Sequence, residues 1–220
     1  MKRLLIAIAA MCMAASCSKD GTDDFTPQTV KEFVTLGTDI TGTPAYIIED
    51  TGNTYQITEA HYTPELAPNS QYRVVLEYEI TSRPSNDNPG QAESYAFNSV
   101  FVSPVVPLGQ FLESIRQDPV KVTRIWQRGR YINMELGIKA KDRQHRFLYL
   151  ERQHGFKDGT SELALYHDAN NDTPAFTQTA YLSVPLDNTV TRYSPDSVAI
   201  TINTYDGMQR FVYYIGDMKE

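Results

Sequence analysis

Imidazole is the side chain with the widest chemical reach near neutral pH, and this 220-residue chain carries four: His61, His145, His154 and His167. None stands in a metal-ligand spacing such as His-Glu-x-x-His, so no zinc site is expected. A Gly-x-Ser-x-Gly nucleophile elbow and a Gly-rich phosphate loop are both missing from the sequence. A Ser/His/Asp triad or a pair of glycosidase carboxylates is assembled in space and leaves no spacing to read. Hydrolysis of an extracellular glycan therefore stays open with no residue singled out for it. The expectation is that the chain is not an enzyme, with no catalytic residue and no cofactor.

Asp168, Asn170 and Asp172 match the first three ligand positions of a calcium loop, oxygen donors suited to a hard cation. The sixth position is Thr173 where such a loop needs Gly, and the twelfth is Thr179 where it needs a bidentate Glu. Between Leu163 to His167 and Phe176 to Leu186, the segment reads better as a hairpin tip. Asp and Asn tolerate left-handed turn conformations there and bond to their own backbone. His167 is then a strand-end residue, and no metal site is expected.

Lys121 to Arg152 gathers nine basic residues against the three acids Glu135, Asp142 and Glu151. Trp126, Tyr131, Phe147 and Tyr149 interleave with them. On adjacent strands these residues could form a basic, aromatic face able to hold an anionic polymer or a phosphate-bearing glycolipid. The candidate ligand or partner face comprises Trp126, Arg128, Arg130, Tyr131 and Arg146. Two other readings stand beside it: the charges are the solvated faces of ordinary strands, or they dock onto an acidic first domain.

The elements that position these residues are strands. Beyond residue 27 the apolar periodicity is almost everywhere two. From Tyr131 to Lys139, Ile132, Met134, Leu136 and Ile138 fall on one face, and Tyr131, Asn133, Glu135 and Lys139 on the other, which predicts a half-buried antiparallel strand. Similar alternation marks Val74 to Ile80, Ala180 to Leu186, Val198 to Ile202 and Phe211 to Ile215. Turn clusters such as 50–53 and 157–160 separate the strands. One short helix is expected over Leu108 to Arg116, where Leu108, Phe111, Leu112 and Ile115 share a face.

Pro104, Pro107 and Pro119 bracket that segment, and charge changes across it. Residues 27–117 carry four basic and eleven acidic side chains, whereas 118–220 carry thirteen of each. The fold expected is all-β in two domains: a small closed barrel of the OB type over 27–110, with four to six strands, then an antiparallel Ig-like β-sandwich over 118–220, with six to eight. Composition alone also allows a single larger sandwich.

The chain opens with basic Lys2 and Arg3, then an apolar run from Leu4 to Met13 of roughly ten residues, half the length of a membrane span. Residues 1–16 read as a signal peptide. Ala14-Ala15-Ser16-Cys17 resembles a bacterial lipobox, with Ala14 where Leu is usual, and makes Cys17 the lipidation site. An ordinary secretory signal with a chance cysteine is the alternative, and Cys12 is a poor substitute because Met11 would precede the cut. Residues 17–26 are polar and acidic, a solvated tether. They also resemble the surface-export signal of Bacteroidetes lipoproteins, although Gly21 interrupts the acidic run. Losing Lys2 and Arg3 takes the formal charge from −7 to −9. Cys17 is then the one remaining cysteine, so the fold must stand on its cores without disulfides.

Asp118-Pro119-Val120-Lys121-Val122 leading to Ile125-Trp126, then Tyr131-Ile132-Asn133-Met134, then 165–172 and the strand Ala180-Tyr181-Leu182-Ser183 resemble the NigD-like lipoproteins of Bacteroidetes. That family pairs a lipobox with an N-terminal OB domain and a C-terminal β-sandwich. The resemblance is specific from Asp118 to about Leu186 and otherwise lies in layout. It implies an envelope lipoprotein and, for the founding members, bacteriocin immunity; it brings no catalytic residues. The partners expected are a membrane through the lipid anchor, and either another envelope protein or a glycan. Nucleic acid is disfavoured for an exported, acidic chain. Two classes lead: a binding or interaction module tethered at the outer membrane, and a protective lipoprotein of the immunity type. An exposed aromatic groove favours a ligand; a broad apolar patch favours a protein partner.

Overall fold

Alternating sequence becomes strand throughout, and the computed structural model describes residues 26–62, 64–152, 159–186 and 195–216. The signal peptide, Cys17, most of the acidic tether and His154 lie outside the described residues. Strands β1 (Gln28–Thr38), β2 (Pro44–Glu49), β3 (Thr54–Ala60), β4 (Gln71–Ser82) and β5 (Gly90–Ser99) close into a barrel in the order β1-β2-β3-β5-β4. β3 and β5 run parallel, and β1 returns to pair with β4 antiparallel over ten residue pairs. Closure leaves no free sheet edge. Val34, Leu36, Ile47, Tyr55, Val74, Leu76, Tyr78 and Ala92 fill the interior.

Among the described residues nine strands build the sandwich: β6 (Phe101–Val102), β7 (Val105–Pro107), β8 (Lys121–Arg128), β9 (Tyr131–Ala140), β10 (Arg146–Glu151), β11 (Thr160–Asp168), β12 (Phe176–Pro185), β13 (Ser197–Thr204) and β14 (Gly207–Tyr214). One sheet has the order β14-β13-β11-β10-β7 and the other β6-β12-β9-β8. Ile132, Met134, Leu136 and Ile138 of β9 face Leu163, Leu165, Val198, Ile200 and Ile202 across the core, as the alternation predicts. The all-β architecture of barrel plus sandwich is the one expected. Among the described residues no helix is long and apolar enough to cross a membrane.

Two expectations change. The helix over Leu108 to Arg116 is a single 3-10 turn, Leu108–Gln110, because only half of its apolar face is covered: Leu108 is half-buried and Phe111 meets the Tyr166 ring at 5.1 Å, while the other two residues stay in solvent. Leu112 is 96% exposed and Ile115 54%. The sandwich also starts earlier than residue 118. β6 adds to β12 and β7 to β10, both in parallel, so 101–107 straps the two sheets together. Pro104 and Pro107 look like linker residues in the sequence; both β6 and β7 are sheet edges, where a missing N–H costs nothing. Only Val100 separates β5 from β6, and its N–H donates to the Arg73 carbonyl at 3.2 Å.

Candidate functional site

The barrel strands β1 and β4 place Phe33 opposite Val75, pointing away from the barrel interior. Both are nonetheless buried, at 4% and 3% exposure, because the outer face of the β6-β12-β9-β8 sheet packs over them. That sheet's side of the contact explains a second surprise. Asn133 lies on the face of β9 that alternation assigns to solvent, yet it is fully buried, and so is Ser183 on the neighbouring β12.

Arg73 sits at the centre of this contact. Its Nη1 and Nη2 donate to Asp50 Oδ1 and Oδ2 at 2.5 and 2.6 Å, a bidentate pair in which both side chains are 4% exposed. Arg73 and Asp50 come from the barrel, and the sandwich completes the network. Arg73 Nη2 also donates to Asn133 Oδ1 at 2.9 Å and Nε to Ser183 Oγ at 3.3 Å. Asn133 Nδ2 donates to Asp50 Oδ2 at 3.0 Å, and the Ser183 hydroxyl to Asn133 Oδ1 at 2.7 Å. The guanidinium lies 4.0 Å above the Tyr131 ring centroid. A buried ion pair is tolerable only when its remaining hydrogen-bonding capacity is filled in this way.

Around the network Phe33 meets the Trp126 ring edge-on at 5.1 Å and the Tyr181 ring at 5.8 Å. Arg128 reaches Glu32 at 3.0 Å, and Glu32 also accepts the Tyr78 hydroxyl at 2.6 Å. Gly129, in the β8–β9 turn, has φ +53°, and a Cβ there would stand 2.2 Å from the Asp50 carbonyl oxygen.

Two clefts flank the joint. One, of about 550 Å³, lies beside Thr35, Ile48, Gly52, Arg130, Tyr131 and Leu186. The other, of about 500 Å³, is walled by Lys31, Phe33, Arg124, Trp126, Glu135 and Tyr181. In it the Arg124 guanidinium stacks 4.1 Å over Trp126. Among the described residues neither Lys31 nor Arg124 has an ion pair.

Of the five residues expected to share a face, Trp126, Arg128, Arg130 and Tyr131 therefore meet at the domain junction. Arg146 does not join them: it lies on β10 in the opposite sheet, paired with Glu113 at 2.7 Å. Docking onto the acidic domain and solvated charge both occur, Arg128 doing the first and Arg130 standing exposed. Sequence reasoning missed Arg73, Asp50, Asn133, Phe33 and Tyr181. One signal was present, since Arg73 is one of four basic residues in the acidic first half and sits beside the apolar run Val74-Val75-Leu76.

Away from the junction, Asp172 spends its carboxylate on backbone N–H groups of Lys141, Asp142 and Thr173 at 2.6, 3.3 and 2.8 Å. These bonds, that from Lys141 foremost, hold its carboxyl well below the usual range. Asn170 and Asn171 both have φ +52°, so 168–172 is a left-handed turn, but it crosses from β11 in one sheet to β12 in the other and is not the hairpin tip expected from the sequence. His167 is a buried strand residue. Its Nδ1 donates to the Asp118 carbonyl at 2.9 Å, so its Nε2 accepts from His145 Nδ1 at 2.9 Å. Burial, and secondarily the nearby His145, push the His167 imidazole below its ordinary 6.5. The unfolded chain then binds more protons than the folded one below that pH. Stability should be level in His167 above about pH 6.5 and fall as pH drops below it. Thermal melts from pH 8 to 5 on wild type and His167→Gln check this, the variant losing the dependence in that window.

Glu59, His61 and Glu93 bring potential ligand atoms within 4.8 Å of one another on the barrel exterior. His61 faces Glu59 through Nδ1 at 3.6 Å and Glu93 through Nε2 at 3.3 Å, while its ring stacks on Tyr95 at 4.7 Å. One ring nitrogen faces each carboxylate, so the His61 ring bridges Glu59 and Glu93; a metal would take one nitrogen.

The model for the NigD-like C-terminal beta sandwich domain matches residues 103–214. The chain belongs to the NigD-like family. A crystal structure of a NigD-like immunity protein from Bacteroides caccae is similar at 29% identity and TM-score 0.68, covering 86% of this chain and 99% of that one. A protein of unknown function from Bacteroides vulgatus shares 15% identity at TM-score 0.69, covering 86% and 91%, and a candidate lipoprotein from Bacteroides fragilis 13% at 0.58, covering 84% and 96%. The last two show the fold alone. No curated protein matches the chain. The NigD-like match begins at residue 103, which agrees with a sandwich that already includes β7.

Proposed function

We propose that this NigD-like chain is an outer-membrane lipoprotein, anchored through Cys17, that acts as a binding module and recognises its ligand in the cleft between barrel and sandwich. The observation that carries the binding role is that cleft: Lys31 and Arg124, without an ion pair among the described residues, stand with Trp126 and Tyr181 on walls that a buried network holds in place. Ligand sites favour domain junctions of this kind, where a rigid frame presents a few oriented polar groups. No catalytic residue is assigned. The lipobox-like segment supports the anchor, since acyl chains contribute about 0.8 kcal/mol per buried methylene.

A second reading, protective immunity by gripping a protein, has its own support. Edge strand β14 exposes Met208, Val212 and Tyr214, with Tyr205 beside them in the preceding turn, and the Bacteroides caccae relative is described as an immunity protein. An exposed apolar edge suits a protein partner.

One experiment separates these. The lipidated protein is captured from its native membrane and co-purifying glycans and proteins are identified by mass spectrometry, in wild type, Arg124→Ala and Val212→Lys forms. A glycan lost with Arg124→Ala supports the cleft; a protein lost only with Val212→Lys replaces it with the immunity reading. In the same fractionation Cys17→Ser should leave the membrane pellet, and retention there at high salt would contradict the anchor.

A further inference from the structure

We infer that the Trp126 cleft takes an anionic saccharide, its hydroxyls on the cleft's free donors and its carboxylate or phosphate between Lys31 and Arg124. This rests on the binding role proposed above and adds the chemical class of the ligand.

The balance of donors and acceptors in the cleft selects that class. Its acids are largely spent within the protein. Glu32 receives Arg128 and the Tyr78 hydroxyl, and Asp50 receives Arg73 and Asn133. Glu135 is the one carboxylate of the lining with no bond among the described residues. Against it, among the described residues, stand two cations without an ion pair, Lys31 and the Trp126-stacked Arg124, and two neutral donors without a hydrogen bond, the Trp126 indole N–H and the Tyr181 hydroxyl. With Asp50 taken by Arg73 and Glu32 by Arg128, the side chains left over are richer in donors than acceptors and set two cations against one carboxylate, so the complementary ligand is rich in acceptors and carries negative charge.

Shape narrows this further. Phe33 holds Trp126 and Tyr181 edge-on at interplanar angles of 86° and 75°, which fixes two rings in the wall, with the Arg124 guanidinium over one face of Trp126. A ligand with an apolar ring face and a hydroxylated rim meets both the wall and the donors, and a sugar is built this way. The cleft's volume of about 500 Å³ is that of a small-molecule site. The surroundings argue against a long polyanion: the barrel half carries eleven acids against four bases, so the field outside the cleft repels what the cleft attracts.

Trp126 is the only tryptophan in the chain, so intrinsic fluorescence reports on the cleft directly. The full exported chain carrying Cys17→Ser is titrated with trigalacturonate, with neutral maltotriose, and with phosphatidylcholine vesicles with and without lipid A. Saturable change with trigalacturonate is expected, at least tenfold weaker with maltotriose, and at least fivefold weakened by Arg124→Ala and by Lys31→Ala at unchanged melting temperature. Saturation by lipid A vesicles but not trigalacturonate also supports the inference and assigns the anion to a lipid-borne sugar phosphate. Equal affinity for both trisaccharides overturns the anionic class while the binding module stands. No response to any probe overturns the saccharide class; the cleft then survives only if the native-membrane capture still yields a partner lost with Arg124→Ala.

Discussion

Arg73→Ala should lower the melting temperature by roughly 6–20 °C, the expectation for losing one partner of a buried pair at about 3–5 kcal/mol in a chain of this length. The cause is what remains behind. Asp50, 4% exposed, would be left with only Asn133 as a side-chain donor, and the acceptors Asn133 Oδ1 and Ser183 Oγ would each lose the guanidinium. The companion variant Arg73→Met with Asp50→Asn removes both charges and should recover most of the loss, because a buried pair replaced as a whole is often nearly neutral. Calorimetric scans of the three proteins check this. A double variant as unstable as Arg73→Ala would mean that packing, not the unpaired carboxylate, sets the cost.

Gly129→Ala should be the other severe substitution, and for a geometric reason. At φ +53° an L-residue costs about 1–2 kcal/mol. The added Cβ would also stand 2.2 Å from the Asp50 carbonyl oxygen, a backbone atom that cannot swing aside, so the β8–β9 hairpin has to lift off the barrel. Gly207→Ala supplies the control, since φ is +104° there with nothing within 4 Å of the new Cβ. We expect Gly129→Ala to lose at least twice the stability lost by Gly207→Ala, and to move Trp126 emission to longer wavelength as water enters beside Phe33. Equal losses and unchanged emission would show that the hairpin does not bear on the joint.

The strands were legible because burial on one face leaves a mark in the chain. Ile132, Met134, Leu136 and Ile138 alternate with polar residues, and all four are in the sandwich core. The same alternation misplaces Asn133, since it records which side chains are polar and not what comes to cover them. Arg73 and Asp50 are illegible for a related reason: they lie twenty-three residues apart, and only barrel closure brings them together. Trp126, Arg128 and Tyr131 were found through composition, which marks basic and aromatic density. Arg146 was drawn in by the same density, though β10 belongs to the other sheet. The helix over 108–116 shows the limit of periodicity in short segments, where four apolar residues share a helical face but only Phe111 has a ring to pack on.

The cleft depends on barrel and sandwich behaving as one body. One residue links them covalently, and the Arg73 network crosses the contact. The most direct test is the calorimetric scan of the wild-type chain. A single transition whose calorimetric and van't Hoff enthalpies agree is the result expected of one cooperative unit; two separable transitions, or a stable barrel left after the sandwich has melted, would contradict it and leave the cleft without fixed walls.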